Sequence, residues 1–285
     1  MHFHDHSTLN VDLHCHSSVS DGVLAPAAVA ARARAQGVDV WALTDHDELD
    51  GIPEAREAAA ALGLRYVAGV EISVTWAGAT VHIVGLRIDE TNPDLLRGLA
   101  ATRGGRAERA QEMSAQLASA GIPHAFEGAL KFVGNPDLIS RTHFARHLVE
   151  IGICADVKDV FRNYLTEGKP GYVPHRWARL QDAVRWIRGA GGIAIVAHPG
   201  RYNFTELQQH ALLTEFKQAG GIGIEVVTGS HTADQYEVYA KVASTYGLLA
   251  SRGSDFHGPQ ESHVELGALP PLPRSVTPVW HDWNF

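Results

Sequence analysis

The chain has 285 residues, 45% of them hydrophobic and 20% charged, a composition that sustains a packed core and excludes disorder over most of its length. Its 24 basic and 32 acidic side chains leave a net charge of −8, so stable binding of double-stranded nucleic acid is not expected. No run of about 18 apolar residues marks a membrane span. The opening segment lacks the apolar stretch of a secretory signal. Two distant cysteines, Cys15 and Cys154, fit a reducing cytoplasm better than a disulfide scaffold.

Residues 1–10 carry His2, His4 and His6 and are expected to form a flexible tail. A short strand follows at 11–14. Pro26 opens an Ala- and Arg-rich helix over 26–36 that Gly37 stops. The apolar run at 38–43 is a buried strand, and 53–62 a second helix. Strands at 64–72 and 80–86 are expected to pair across the Trp76-Ala77-Gly78 turn. From 92 to 171 the rhythm breaks into an all-helical stretch. There Asn135 and Pro136 are expected to cap and open a helix running to Glu150, followed by another over 156–165. Alternation then resumes: helix 180–190, strand 193–197, helix 207–219, strand 222–227, helix 232–246 and strand 248–251. Apolar strands between helices indicate a largely parallel sheet or barrel. The chain therefore divides into the tail (1–10), an α/β barrel domain (11–91 and 172–285) and a helical insertion (92–171) placed to roof the site.

Histidine is over-used, at 17 residues. Along a strand, residues two apart share a face, so His14 and His16 point together and Cys15 points away into the core. Two imidazoles on one face can share a metal ion. Other strand ends carry the same residue types. Asp45, His46 and Asp47 follow one buried strand, and Glu71 ends another. His82 begins one, His198 ends one, and Asp255 and His257 follow the last. Asp21 lies in the serine-rich loop after the first strand. Such groups gathered in one cavity must be paired or metal-bound, because an unpaired buried charge is costly.

These residues and their order resemble the PHP family of polymerase and histidinol phosphatase domains. The resemblance rests on D-L-H-C-H-S with Asp21 downstream, T-D-H-D, Gly69-Val70-Glu71, His82, A-H-P-G and G-S-D-F-H. It implies an α/β fold, a distorted (β/α)7 barrel, with two or three divalent metal ions. By motif, His14, His16, Glu71 and Asp255 would hold the first. Glu71 would bridge to a second with His82 and His198, and Asp21, His46 and His257 would hold a third. A metal-bridged water held through Glu71 and Asp255 would be the nucleophile. Mn²⁺ suits this mixed donor set, with Fe²⁺ or Zn²⁺ as alternatives. Three divalent ions against three carboxylates leave a positive centre that attracts phosphate into an acidic protein.

Asn135 to Leu148 and Lys169 to His175 resemble the stand-alone branch of that family. The branch removes the 3′-phosphate of nucleoside 3′,5′-bisphosphates and trims short 5′-phosphorylated RNA. Arg141 and Arg201 are the phosphate-clamp candidates. Asn135 and His143 join them as expected substrate contacts, and Glu225 is expected to orient a metal-binding histidine. His143 and His147, at i and i+4 on a helix, are expected to be cleft-wall or surface histidines rather than a zinc pair. A histidinol-phosphate phosphatase and a non-enzymatic metal-binding module are the alternatives. Open metal positions flanked by arginines disfavour the latter.

Overall fold

A computed structural model describes residues 9–284; His2, His4 and His6 lie outside the described residues. Seven strands form one sheet in sequential order: β1 (Val11–Asp12), β2 (Val40–Leu43), β3 (Arg65–Trp76), β4 (Ala79–Leu86), β5 (Ile193–Val196), β6 (Gly223–Thr228) and β7 (Leu249–Gly253). β4 runs antiparallel to both neighbours, and the other ladders are parallel. The sheet closes on itself. The Leu13 amide donates to the Arg252 carbonyl at 3.0 Å, and beyond it the His16 amide donates to Phe256 and the Asp255 amide to His14, each at 2.8 Å. Every residue of β2 and β6 is buried, which is why β2 reads as an unbroken apolar run and β6 as one interrupted by Glu225 and ending in Thr228 rather than as alternating strands. β3 extends to Trp76, past the expected end at 72, because β4 pairs with it residue by residue back to a two-residue turn. Ala77 and Gly78 both take positive φ there, 48° and 82°, as a type I′ hairpin requires.

Helices α1 (Pro26–Ala35), α2 (Ile52–Ala61), α8 (Leu180–Gly189), α9 (Glu206–Gln218) and α10 (Ala233–Tyr246) connect the strands. One mouth of the barrel is plugged by Val11, Val40, Val67 and Leu86 together with Trp280 and Trp283 from the C-terminal segment. That leaves the opposite mouth for polar residues.

Between β4 and α8 lie α3 (Pro93–Arg103), α4 (Arg106–Ser119), α5 (Ala125–Leu130), α6 (Arg141–Glu150) and α7 (Val157–Val160). α3 is part of the barrel's packing: Leu95 and Leu99 join its core, and a Cβ on Gly98 would lie 2.3 Å from the Trp186 ring. A separate core begins at Ala110 and includes Met113, Leu117, Phe144, Leu148 and Val160. Packing therefore changes partners at the Gly104-Gly105 junction.

The helix expected from Asn135 to Glu150 is corrected. Asn135 does cap, accepting the Asp137 amide at 3.0 Å, but only a single 3₁₀ turn, Pro136–Leu138, follows. The helix proper starts at Arg141, behind Ser140, whose reciprocal capping with His143 is a stronger start signal. The expected 156–165 helix is one turn of α7 continued by a wider π-type turn over Phe161–Leu165.

Candidate metal centre and phosphate site

The open mouth is built by strand ends. Two of its residues sit in strained backbone, His198 at φ 25° and Asp255 at φ 55°, conformations costing about 1–3 kcal/mol each that tertiary contacts must hold. The Glu225 carboxylate holds the first by accepting the His198 amide at 2.6 Å. The His14 carbonyl holds the second. Gly253 lets the closing strands approach this closely, because a Cβ there would lie 2.3 Å from the His14 Cβ. Gly253→Ala is accordingly expected to cost on the order of 1–3 kcal/mol of stability by overpacking, read as a lowered Tm. An unchanged Tm would mean that the His14 strand yields freely.

Glu71 is fully buried at the centre. Its Oε1 lies 2.9 Å from His82 Nδ1 and 2.9 Å from His198 Nε2. Its Oε2 lies 3.0 Å from His46 Nδ1, 3.2 Å from His16 Nε2 and 3.3 Å from His14 Nε2. Asp255 Oδ1 is 3.3 Å from His16 Nε2 and 3.5 Å from His14 Nε2. Asp21 Oδ1 is 3.3 Å from His257 Nε2 and 3.8 Å from His46 Nε2. All the residues expected by motif to bind metal are thus in one cluster. Donor atoms lie within 4.8 Å of one another in three groups: His14, His16, Glu71 and Asp255; His46, Glu71 and His82; and His16, Asp21, His46 and His257. His198 meets the cluster through Glu71 instead of through a group of its own.

Hydrogen bonds account for only part of this packing, those of His82 Nδ1 and His198 Nε2 with Glu71 Oε1. Glu71 Oε2, Asp21 Oδ1, and Nδ1 of both His46 and His16 are buried without a hydrogen-bond partner. Nε2 of His14 and of His16 face each other at 3.2 Å, where at most one proton fits between them. Converging donors with no proton to share are what a cation resolves. Burial works to raise the pKa of Glu71, Asp21 and Asp255. The imidazoles outweigh it, those of His82 and His14 foremost at Glu71, and hold all three carboxylates well below their usual range. Burial keeps His46 neutral and pulls His198 down to about 3.

Glu225 Oε1 accepts from His14 Nδ1 at 2.8 Å, which turns Nε2 toward the cluster. Cys15 fills the core, taking the Trp41 indole N–H at 3.0 Å and donating to the Ala42 carbonyl. Burial pushes its thiol pKa far up, so it is no nucleophile.

Four arginines surround the rim. Arg201, half exposed, donates to Asp255 Oδ2 at 3.1 Å. Arg106 is committed to Asp47 in a buried ion pair and stacks on Trp177 at 4.5 Å. Arg109 donates to the Val173 carbonyl. Burial, then Arg141 and Arg106, pull its pKa down to about 9. Arg141 is lowered by burial and by Arg201 and Arg106, and it makes a long hydrogen bond of 3.4 Å to the Leu165 carbonyl. Guanidinium groups do not give up their proton in proteins, so this crowding is repulsion that an anion would relieve.

Asn135 and His143 are engaged locally. Asn135 caps its turn, and His143 Nδ1 accepts the Ser140 amide at 3.0 Å. His147 is buried, its ring packed where a Cβ on Gly128 would stand. Sequence reasoning missed the residues that hold the site together. Asp45 accepts from the Ser17 amide and from the hydroxyls of Ser17 and Ser20. Tyr202 receives the His82 amide at 2.9 Å. His231 accepts the Gly200 amide at 2.9 Å, steadying the turn between His198 and Arg201. Only Asp45, a carboxylate ending a buried strand, carried a signal.

A family model for the PHP domain matches residues 12–165. The chain belongs to the PHP domain family. Over 273 residues it is 51% identical to a 3′,5′-nucleoside bisphosphate phosphatase of Chromobacterium violaceum, covering 96% of each chain. It is 44% identical to a 5′-3′ exoribonuclease of Haemophilus influenzae, covering 96% of this chain and 98% of that one. Among solved structures, a Chromobacterium violaceum protein described as an amidohydrolase with bound sulfate and no metal superimposes with a TM-score of 0.93 at 51% identity, covering 96% of this chain and 95% of that one. The distorted (β/α)7 barrel expected of a PHP domain is the observed fold. Among the described residues, no helix is long and apolar enough to cross a membrane.

Proposed function

We propose that this PHP domain is a metal-dependent phosphoesterase that removes the 3′-phosphate of nucleoside 3′,5′-bisphosphates and also trims short 5′-phosphorylated RNA, acting in the cytoplasm. The observation that carries this reading is the convergence of five imidazoles on the buried Glu71, whose Oε2 is left, with Nδ1 of His46 and of His16, without a hydrogen-bond partner. The two activities named for relatives at 51% and 44% identity support the choice of substrate. In this reading His14, His16, Glu71 and Asp255 hold one cation, and Glu71, His82 and His198 a second. Asp21, His46 and His257 hold a third. Mn²⁺ is the best match to imidazole and carboxylate donors, ahead of Fe²⁺ or Zn²⁺. When bound, such ions supply Lewis acidity to a phosphoryl oxygen and a nucleophilic water at neutral pH.

The chain's own side chains do the rest. Glu225 fixes the His14 ring, and Tyr202 and His231 hold the backbone at His82 and Gly200. Arg201, beside Asp255, is placed to take an oxygen of the reacting phosphate. Arg141, with Arg109 beside it, offers guanidinium groups that form no ion pair within 4.0 Å among the described residues, which suits a second, non-reacting phosphate. Histidinol phosphate has no second phosphate to place there, and a storage module has no use for such a pocket.

The test is a phosphate-release assay of Mn²⁺-loaded protein on adenosine 3′,5′-bisphosphate, histidinol phosphate and a 5′-phosphorylated dinucleotide. Turnover of the bisphosphate should exceed that of histidinol phosphate, vanish on chelation and return with Mn²⁺. Full turnover by protein shown to be metal-free by elemental analysis would sink the reading. Preference for histidinol phosphate would transfer it to the other phosphatase class.

A further inference from the structure

We propose that the helical insertion completes one cation position of the barrel: Thr142, helped by Ser140 and Arg146, is a positioning residue that aims the carboxylate of Asp21. This rests on the reading of Asp21, His46 and His257 as a cation position.

Asp21 differs from the residues around it. Glu71 and His82 lie within long paired strands, so the ladder itself fixes them. Asp21 lies in a loop after β1 with no strand partner. The barrel holds that loop on either side of Asp21, where Asp45 binds Ser17 and Ser20 and where the Val23 amide donates to the His257 carbonyl at 2.8 Å. Asp21 itself is also held by the insertion. Thr142 Oγ1 donates to Asp21 Oδ2 at 2.9 Å, and Ser140 Oγ reaches the same oxygen at 3.5 Å. Arg146 donates to the Asp21 carbonyl and grips Glu261 with two bonds of 2.7 and 2.8 Å, tying α6 also to the loop after β7. Gly134 approaches the same loop so closely that a Cβ would lie 2.6 Å from the Ser18 carbonyl oxygen.

The two oxygens of Asp21 are thereby divided. Oδ2 is occupied by hydroxyl donors from the insertion. Oδ1 is buried, lacks a hydrogen-bond partner and faces His257 and His46. Removing the hydroxyl of Thr142 frees the carboxylate to rotate, and outer hydrogen-bond partners of this kind are worth about 10–100-fold in metal affinity. The effect should be confined to one position, because Glu71, His14, His16 and Asp255 make no hydrogen bond to α6.

The experiment is a Mn²⁺ titration read by the electron paramagnetic resonance of free Mn²⁺, comparing wild type with Thr142→Val, Thr142→Ser and Asp21→Asn. Thr142→Val should weaken a single Mn²⁺ equivalent by about 10-fold or more, the same equivalent that Asp21→Asn removes. Thr142→Ser, which keeps the hydroxyl, should bind as wild type does. If Thr142→Val titrates like wild type while Asp21→Asn loses an equivalent, the positioning role is overturned and the cation reading stands. If Asp21→Asn binds as many equivalents as wild type, the cation reading at Asp21 fails and this proposal falls with it. Uniform weakening of every equivalent, with a lowered Tm, would make Thr142 a fold residue and overturn the proposal.

Discussion

Glu71→Gln is expected to lower kcat/KM for adenosine 3′,5′-bisphosphate by about three orders of magnitude or more, a loss of roughly 4 kcal/mol or more of transition-state stabilisation. The reason is the number of groups that share this carboxylate. Both of its oxygens lie within 3.3 Å of imidazole nitrogens, two at Oε1 and three at Oε2. No other acid in the cluster is met by as many. An amide is close to the same size but presents an N–H where an acceptor is needed, and it removes a full negative charge from a buried site. Two cation positions should weaken together, and elemental analysis should show their loss. Asp21→Asn should cost less, since Asp21 Oδ1 faces only His46 and His257 at the edge. Equal and mild losses for the two variants would mean that Glu71 does not bridge.

Several of the donor residues were legible in the sequence because they stand where an apolar strand ends. A buried apolar strand that runs into His or Asp sets a polar group at the margin of the core, a cost that pairing or metal binding offsets. His14, His46, His198 and Asp255 all fit that pattern. Glu71 and His82 were harder: both lie inside strands, and β4 runs antiparallel, so its start and not its end is at the open mouth. The sequence placed them at the end of one apolar strand and the start of another, and the motif order singled them out. What pattern could not reach is contact between distant segments. Gly98 looks like a weak point in a helix until Trp186 is seen against it, and that packing assigns α3 to the barrel. Arg106 reads as one charge in a polar helix, yet it forms a buried pair with Asp47, which takes a left-handed conformation at φ 53°. Thr142 and Asp21 are 121 positions apart, and neither residue type announces the other. The Asn135-Pro136 pair misled because it is a genuine cap signal, spent on a single turn before Ser140 restarts the chain as α6.

Arg141→Ala should separate recognition from chemistry. Cations at the barrel mouth would bind any phosphate ester, so preference for a bisphosphate must come from groups beyond them. Arg141 and Arg109 are the candidates, because Arg106 is spent on Asp47 and Arg201, beside Asp255, is assigned to the reacting phosphate. Loss of one charge-assisted clamp should cost on the order of 2–3 kcal/mol, roughly 30- to 150-fold in kcat/KM. The loss should appear with adenosine 3′,5′-bisphosphate and not with a generic aryl phosphate, whose single phosphate sits at the cations. The ratio of the two kcat/KM values should therefore collapse. Lysine at the same position should recover only part of it, since an ammonium cannot make the paired bonds of a guanidinium. Removing Arg141 also relieves repulsion on Arg109, so the variant should be no less stable than wild type despite losing its contact with Phe161. If both substrates fall by one factor, Arg141 serves the reacting phosphate or the fold. If neither changes, the second phosphate is held elsewhere, and Arg109→Ala is the variant that decides whether this pocket holds it at all.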